Sequence, residues 1–154
     1  MLYTTKYLLV LLVVVVSSAQ ADYQSEVLCL AQNIYHETRS QSILEKIAIS
    51  RVVLNRVSSN KYPDTICKVV YQAVRNQLSI VRDKCQFSWY CDGKSDYPSN
   101  SNAWTESIEI AALTMKLKAD FTRGALNYHA VYVSPLWAED MQFTIRIGSH
   151  RFYK

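Results

Sequence analysis

The sequence lacks the short motifs that mark metal and nucleotide chemistry. It has no Gly-x-Ser-x-Gly motif, no phosphate-binding loop and no dinucleotide fingerprint. His36-Glu37 begins like a zinc-protease His-Glu-x-x-His motif, but Ser40 stands where the second histidine belongs. The three histidines (His36, His129 and His150) are far apart, and no Cys-x-x-Cys pair occurs. We therefore expect no metal and no cofactor.

Concentrated positive charge is also missing. The formal net charge is +4, and Lys and Arg are scattered rather than clustered as in nucleic-acid-binding proteins. This excludes nucleic acid as an expected partner. A mildly basic chain does suit a polyanionic surface such as a cell wall.

The N-terminal segment has the pattern of a secretory signal peptide. Lys6 precedes an apolar block from Leu8 to Val16, and an Ala-x-Ala arrangement ends at Ala21. We expect cleavage after Ala21, which leaves residues 22–154 as one catalytic domain; an uncleaved anchor is the alternative. No second apolar segment of spanning length follows, so we expect no transmembrane domain after cleavage. The predicted location is the periplasm, the cell wall or the extracellular space.

Four cysteines follow this segment: Cys29, Cys67, Cys85 and Cys91. An even number in an exported chain predicts disulfides, and three pairings are open. Cys85 and Cys91 flank a short loop and could pair locally. A nucleophilic cysteine assisted by a histidine is disfavoured in an oxidising compartment.

Hydrophobic periodicity predicts several helices in the expected mature chain. Residues 25–35 have amphipathic spacing, and residues 42–57 form a more apolar central helix. Ser42 and Glu45 have the spacing of a capping box, which gives Glu45 a structural role. A shorter helix is predicted from an Asp64 cap through Val74.

The C-terminal third changes from helical to strand-like patterning. A further helix begins at Ser101 or Asn102 and ends before Gly124. Residues 127–133 alternate like a strand, and Gly148-Ser149 separates two short strands as in a hairpin. The expected fold class is mainly α (α+β), a helical domain with a small C-terminal β-hairpin.

Glu37 is the candidate catalytic residue because it follows an apolar helical run and precedes a polar turn. Partial burial at such a helix end would raise its pKa, so that it could act as a general acid. The alternative is an ordinary carboxylate at the end of a helix.

Aromatic and polar side chains in two stretches suit a carbohydrate ligand. Flat apolar rings can pack on sugars, while amides and hydroxyls can bond to sugar substituents. The alternative for the aromatic residues is a place in the hydrophobic core. The candidates are Phe87, Trp89 and Tyr90 as ring platforms and Gln86, Ser88, Asn127, Tyr128 and His129 as polar partners.

The expected mature chain resembles the SleB/CwlJ family of cell wall hydrolases. The likeness covers nearly all of residues 25–154. It is carried in order by Leu28 to Arg39 with Ile34-Tyr35-His36-Glu37-Thr38-Arg39, Ala48 to Val57, Tyr62 to Cys67, Gln86-Phe87-Ser88-Trp89, Asn127-Tyr128-His129-Ala130 and Ile147 to Tyr153.

The resemblance implies a lysozyme-like, lytic-transglycosylase-type fold with Glu37 as the catalytic residue. The implied substrate is the peptidoglycan glycan strand, cleaved between N-acetylmuramic acid and N-acetylglucosamine to give 1,6-anhydro ends. By analogy with related transglycosylases, Tyr128 would bond Glu37 or position the sugar, and Gln86 would line the cleft. In a phage, such a chain would be an endolysin.

The chain departs from the family pattern near this glutamate. Ser40-Gln41 replaces the usual Gly-Glu, and Glu45 replaces a glycine early in the central helix. We expect these residues to lie beside the cleft. Three alternatives stay open: a hydrolysing muramidase, a non-catalytic peptidoglycan-binding module, and an amidase or peptidase acting on stem peptides.

Overall fold

A long helix carries the candidate glutamate as its last residue. The computed structural model describes the backbone of residues 4–77 and 79–154 and the side chains of residues 19–77 and 79–154. Helix α1 spans Thr4–Glu37, which confirms the helix predicted over residues 25–35. The predicted signal peptide lies mostly outside the residues whose side chains are described. Within the described part, no helix combines the length and apolar character needed to cross a membrane.

The second helix is the predicted central helix. Helix α2 spans Ile43–Val57, and Ser42 and Glu45 form the predicted capping box at its start. The Ser42 hydroxyl accepts a hydrogen bond from the Glu45 backbone N–H, and the Glu45 carboxylate accepts one from the Ser42 backbone N–H. The helix has a fully buried apolar side formed by Ala48, Ile49, Val52 and Val53.

The segment after α2 corrects two sequence predictions. Helix α3 spans only Ile66–Val70, and Thr65 caps it in place of Asp64. The predicted helical continuation to Val74 is wrong because strand β1, Ala73–Asn76, pairs antiparallel with β2, Ser79–Cys85. The backbone hydrogen bonds between β1 and β2 take the place of those that one more turn of helix would form.

Helix α4 and a small sheet complete the chain. Helix α4 spans Ser101–Lys116, with the predicted start. The sheet has the strand order β3-β5-β4, all antiparallel, and its strands are β3 (Asn127–Ala130), β4 (Phe143–Ile147) and β5 (His150–Tyr153). The predicted hairpin at Gly148-Ser149 is confirmed, and Gly148 has a φ of +54°. Strand β3 ends earlier than predicted because the chain turns at Val131.

Two disulfides fix the helical part and the loop that follows β2. Cys29–Cys67 joins α1 to α3, and Cys85–Cys91 closes a short loop, as local spacing suggested. The three open pairings are thereby reduced to one.

Two hydrophobic clusters share a contact with Tyr128. The larger packs α1, α2, α3 and α4 together, and the smaller packs α2 against the C-terminal sheet. Tyr128 on β3 contacts both clusters. This placement brings its phenol next to the end of α1.

Candidate active site

Glu37 is held in place by the helix behind it and by a partner on the sheet. The next residue, Thr38, is buried and donates its hydroxyl hydrogen to the Ile34 carbonyl, which ties down the end of α1. Glu37 itself is half-buried. The Tyr128 hydroxyl donates to Glu37 Oε2 over 2.7 Å. The backbone next to Glu37 and one oxygen of its carboxyl group are therefore both held by hydrogen bonds.

The environment of Glu37 favours its protonated form. Burial raises the pKa of Glu37, while the Tyr128 hydrogen bond and the positive charge of Arg56 oppose that rise. The net pKa is above that of an ordinary glutamate. Burial and the nearby Glu37 charge raise the pKa of Tyr128 well above its usual value, so Tyr128 stays a neutral donor. A carboxyl group in this setting can both give and take a proton.

Arg56 is a member of the site that the sequence analysis did not single out. It is only 3% exposed, and its Nε donates to the Leu126 carbonyl over 2.8 Å. Its guanidinium lies over the rings of Tyr62 and Phe87, at 5.1 and 5.4 Å from their centroids. Within the described residues, its Nη1 has no hydrogen-bond partner.

A signal for Arg56 was available in the sequence. It follows Val52 by four residues, which places it on the buried side of α2. Because burying a charge costs free energy, a buried arginine is expected to have a structural or functional role that offsets this cost.

Glu37 opens into a cleft of about 330 Å³. The cleft contains four of the predicted binding residues, Gln86, Phe87, Ser88 and Tyr128. Asn127, proposed from the same sequence stretch, also lines it. The full set is Glu37, Arg56, Cys85, Gln86, Phe87, Ser88, Asn127, Tyr128 and Trp137.

His129 is not among the residues that line the cleft. Neighbouring residues on a strand point to opposite faces, so His129 points away from the face that Tyr128 presents to Glu37. Its Nε2 bonds to the Tyr153 hydroxyl over 2.9 Å, and its Nδ1 bonds to the Ala130 carbonyl over 2.9 Å. Its ring also contacts Trp137, which does line the cleft.

The predicted sugar platforms differ in how accessible they are. Phe87 lines the cleft but is only 3% exposed, with Arg56 over its ring. Trp89 is buried, stacks on His36 at 4.6 Å and donates from Nε1 to Asn33 Oδ1 over 3.1 Å. Trp89 is therefore a core residue, as the alternative interpretation had it.

Three other carboxylates near this end of α1 line other cavities. Asp92 and Asp96 line a cavity with His36 and Trp89, and Glu106 forms an ion pair with Lys46 at 2.7 Å. Among the described residues lining the Glu37 cleft, Glu37 is the one carboxylate.

None of the three departures from the family pattern is among the residues that line the Glu37 cleft. Ser40 lines a separate, larger cavity of about 510 Å³. The Glu45 carboxylate accepts hydrogen bonds from the backbone and the hydroxyl of Ser149, at 2.7 and 2.8 Å. Gln41 also bonds to the Ser149 hydroxyl, at 3.0 Å. The structure therefore does not place these residues in the lining of the cleft, and Glu45 bonds to the hairpin turn instead.

Two solved structures have the same fold. The catalytic domain of the Bacillus cereus SleB protein is 24% identical, with a TM-score of 0.61, and the alignment covers 85% of this chain and 91% of that one. The catalytic domain of the germination-specific lytic transglycosylase SleB from Bacillus anthracis is also 24% identical, with a TM-score of 0.61, and the alignment covers 84% and 93%. The predicted lysozyme-like, mainly helical fold class is thereby confirmed.

The family follows from the sequence itself. A family model described as Cell Wall Hydrolase matches residues 40–153, and the chain belongs to this family. Two Bacillus cereus proteins named spore cortex-lytic enzyme are 33% identical over 49 residues. The matched segment is 32% of this chain and 19% of those relatives, so the chain spans a small part of their length. The family match begins after Glu37, so the catalytic role of Glu37 stays a prediction.

Proposed function

We propose that this protein degrades peptidoglycan as a lytic transglycosylase. It would cleave the β-1,4 bond between N-acetylmuramic acid and N-acetylglucosamine, with Glu37 as the single acid and base. Membership of the cell wall hydrolase family supports the substrate class. The structurally similar Bacillus anthracis protein is described as a lytic transglycosylase, which supports the reaction type.

The observation that carries the proposal is the state of Glu37. It is half-buried, its pKa is raised by burial, and it is the one carboxylate among the described residues of its cleft. Retaining and inverting glycosidases generally use a pair of carboxylates. A single carboxylate suits a reaction in which the substrate supplies its own nucleophile.

Glu37 would act twice in one turnover. Protonated Glu37 gives its proton to the glycosidic oxygen as the bond from C1 of the muramoyl residue to that oxygen breaks. The resulting carboxylate is stabilised by the Tyr128 hydrogen bond and by the Arg56 charge. It then removes a proton from the C6 hydroxyl of the muramoyl residue, whose oxygen bonds to C1. The ring closes without water, and Glu37 regains its proton.

Mass spectrometry of the products tests the reaction. Purified peptidoglycan is digested with the wild-type protein and with Glu37→Gln, which keeps the shape of the side chain but removes its proton chemistry. We expect muropeptides with 1,6-anhydro ends, about one water lighter than the hydrolysed forms, from the wild type alone. Products with reducing ends would instead indicate a hydrolysing muramidase, and free stem peptides an amidase. Glycan binding without release would indicate a binding module.

The proposal includes export before the protein acts. Residues 1–21 would serve as a signal peptide cleaved after Ala21, so that residues 22–154 act in the periplasm, the cell wall or the extracellular space. Two disulfides suit an oxidising compartment. Sequencing the N-terminus of the secreted protein tests this, since a start at Asp22 is expected and a retained Met1 would indicate an anchor.

A further inference from the structure

The cleft contains one aromatic side chain with substantial accessible surface. Trp137 lines the cleft and is 37% exposed, whereas Phe87 in the same cleft is 3% exposed. Tyr128 is half-buried and its hydroxyl is committed to Glu37. Trp137 therefore offers most of the aromatic surface that a ligand in this cleft could contact.

Trp137 is held by its neighbours rather than free to rotate. Its ring meets those of His129 and Tyr153 nearly at right angles, with both centroid distances at 5.6 Å. Those two rings stack on each other at 5.2 Å and are joined by the His129–Tyr153 hydrogen bond. Perpendicular arrangements of aromatic rings are favourable, so the pair supports Trp137 from behind.

The backbone that carries Trp137 is also constrained. Leu136–Ala138 forms a 3₁₀ turn that follows Pro135. The Ala138 N–H donates to the Pro135 carbonyl over 3.0 Å, which closes the turn. A side chain fixed in this way loses little conformational entropy when a ligand packs against it.

Polar groups near Trp137 complete a surface suited to a sugar. The side chains of Gln86, Ser88 and Asn127 line the same cleft. An aromatic ring beside amide and hydroxyl groups matches an N-acetylated hexose, which has apolar C–H faces and polar edges.

We propose that Trp137 is the sugar-binding platform of the cleft and that His129 is its positioning residue. The ring packs on an N-acetylhexosamine next to the bond that Glu37 addresses, and His129 fixes the angle of the ring. This inference rests on the proposed function for its substrate class. It assigns His129 an indirect role in place of the direct sugar contact predicted from the sequence.

The test measures binding separately from turnover. Glu37→Gln protein is titrated by calorimetry with peptide-free glycan strands of alternating N-acetylglucosamine and N-acetylmuramic acid. We expect Trp137→Ala in this background to weaken binding about tenfold, equivalent to about 1.4 kcal/mol. Trp137→Phe, which keeps an aromatic face, should stay within about threefold of the parent. Tyr97→Ala removes an aromatic side chain that is 77% exposed and outside the cleft, and should change nothing.

The positioning role of His129 has its own measurement. In otherwise wild-type protein, His129→Ala should raise KM several-fold on solubilised peptidoglycan with little change in kcat, because ring orientation affects binding more than proton transfer. A loss confined to kcat would contradict the assignment. Thermal unfolding of every variant checks that the fold is retained.

The outcomes separate the platform from the proposed reaction. Equal glycan affinity with and without Trp137, or equal losses for the Ala and Phe variants, would overturn the platform. Failure of the Glu37→Gln protein to bind glycan strands would also overturn it. If binding depends on Trp137 but the wild-type protein releases no fragments, the platform stands and the proposed activity falls.

Discussion

Glu45→Gln is expected to remove a pH-dependent part of the stability of this protein. The Glu45 side chain is buried and accepts hydrogen bonds from Ser42 at the start of α2 and from Ser149 in the hairpin turn. These bonds lower the pKa of Glu45 to about 2 from a usual value of 4.5, against the opposing effect of burial. The carboxylate therefore joins the central helix to the C-terminal sheet.

The magnitude follows from the pKa difference between the folded and unfolded chains. At about 1.36 kcal/mol per pH unit, the lowered pKa corresponds to about 3 kcal/mol of folding free energy as an upper figure. Because the folded pKa is depressed, this stabilisation is fully present above about pH 4.5 and is lost as the pH falls towards 2. An amide keeps part of the hydrogen bonding, so we expect Glu45→Gln to cost about 2 kcal/mol at neutral pH.

The assay is denaturant unfolding of the wild type and Glu45→Gln at a series of pH values. The difference in unfolding free energy should be largest at neutral pH and should shrink as the solution is acidified through pH 4.5 towards 2. Glu109→Gln on the exposed side of α4 is the matched control, and it should change stability by less than about 0.5 kcal/mol. A Glu45→Gln loss that stays constant with pH would refute the electrostatic reasoning.

Two further predictions concern the cleft itself. Tyr128→Phe removes a hydrogen bond that lowers the pKa of Glu37, so the pKa of Glu37 should rise and the alkaline limb of kcat/KM should move to higher pH. A pH–rate profile checks this, and a limb that moves to lower pH would count against it. Replacing both Cys85 and Cys91 by serine should lower kcat/KM about tenfold, because the loop that the disulfide closes carries cleft residues. The cost in folding free energy should be only about 2 kcal/mol, because the sequence separation of the two cysteines is 6. Unfolding and turnover measured on the same sample separate the two effects, and unchanged turnover would show that the loop keeps its shape without the bond.

The helices could be predicted from the sequence because the patterns that specify them lie within a few residues of one another. The Ser42–Glu45 capping box and the apolar spacing of α2 are both encoded within a few residues. The Gly148-Ser149 hairpin was predictable for the same reason, since Gly148 adopts a positive φ in a two-residue turn.

The features that sequence reasoning missed depend on distant partners. Strand β1 exists because β2 pairs with it, which outweighs the helical spacing of Val70 and Val74. The Glu45 contact with the hairpin joins residues 104 positions apart.

The site shows the same division between local and distant signals. Glu37 and Tyr128 were predicted from motifs, and the structure joins them by a hydrogen bond across 91 positions. Arg56 and Trp137 were missed because their roles depend on packing: Arg56 is buried against Tyr62 and Phe87, and Trp137 is supported by two aromatic rings. His129 was predicted as a sugar contact because the sequence does not say which face of strand β3 lies toward the cleft. That face is known only once Tyr128 is seen to point at Glu37, and His129 then points to the opposite face.

The identity of the sugar end released from peptidoglycan tests the central claim most directly. Products of the wild-type protein and Glu37→Gln are compared by mass spectrometry after digestion of the same purified peptidoglycan. We predict 1,6-anhydro ends from the wild type and no fragments from the folded Glu37→Gln protein. Fragments released by Glu37→Gln at the wild-type rate would contradict the assignment of Glu37 as the acid and base.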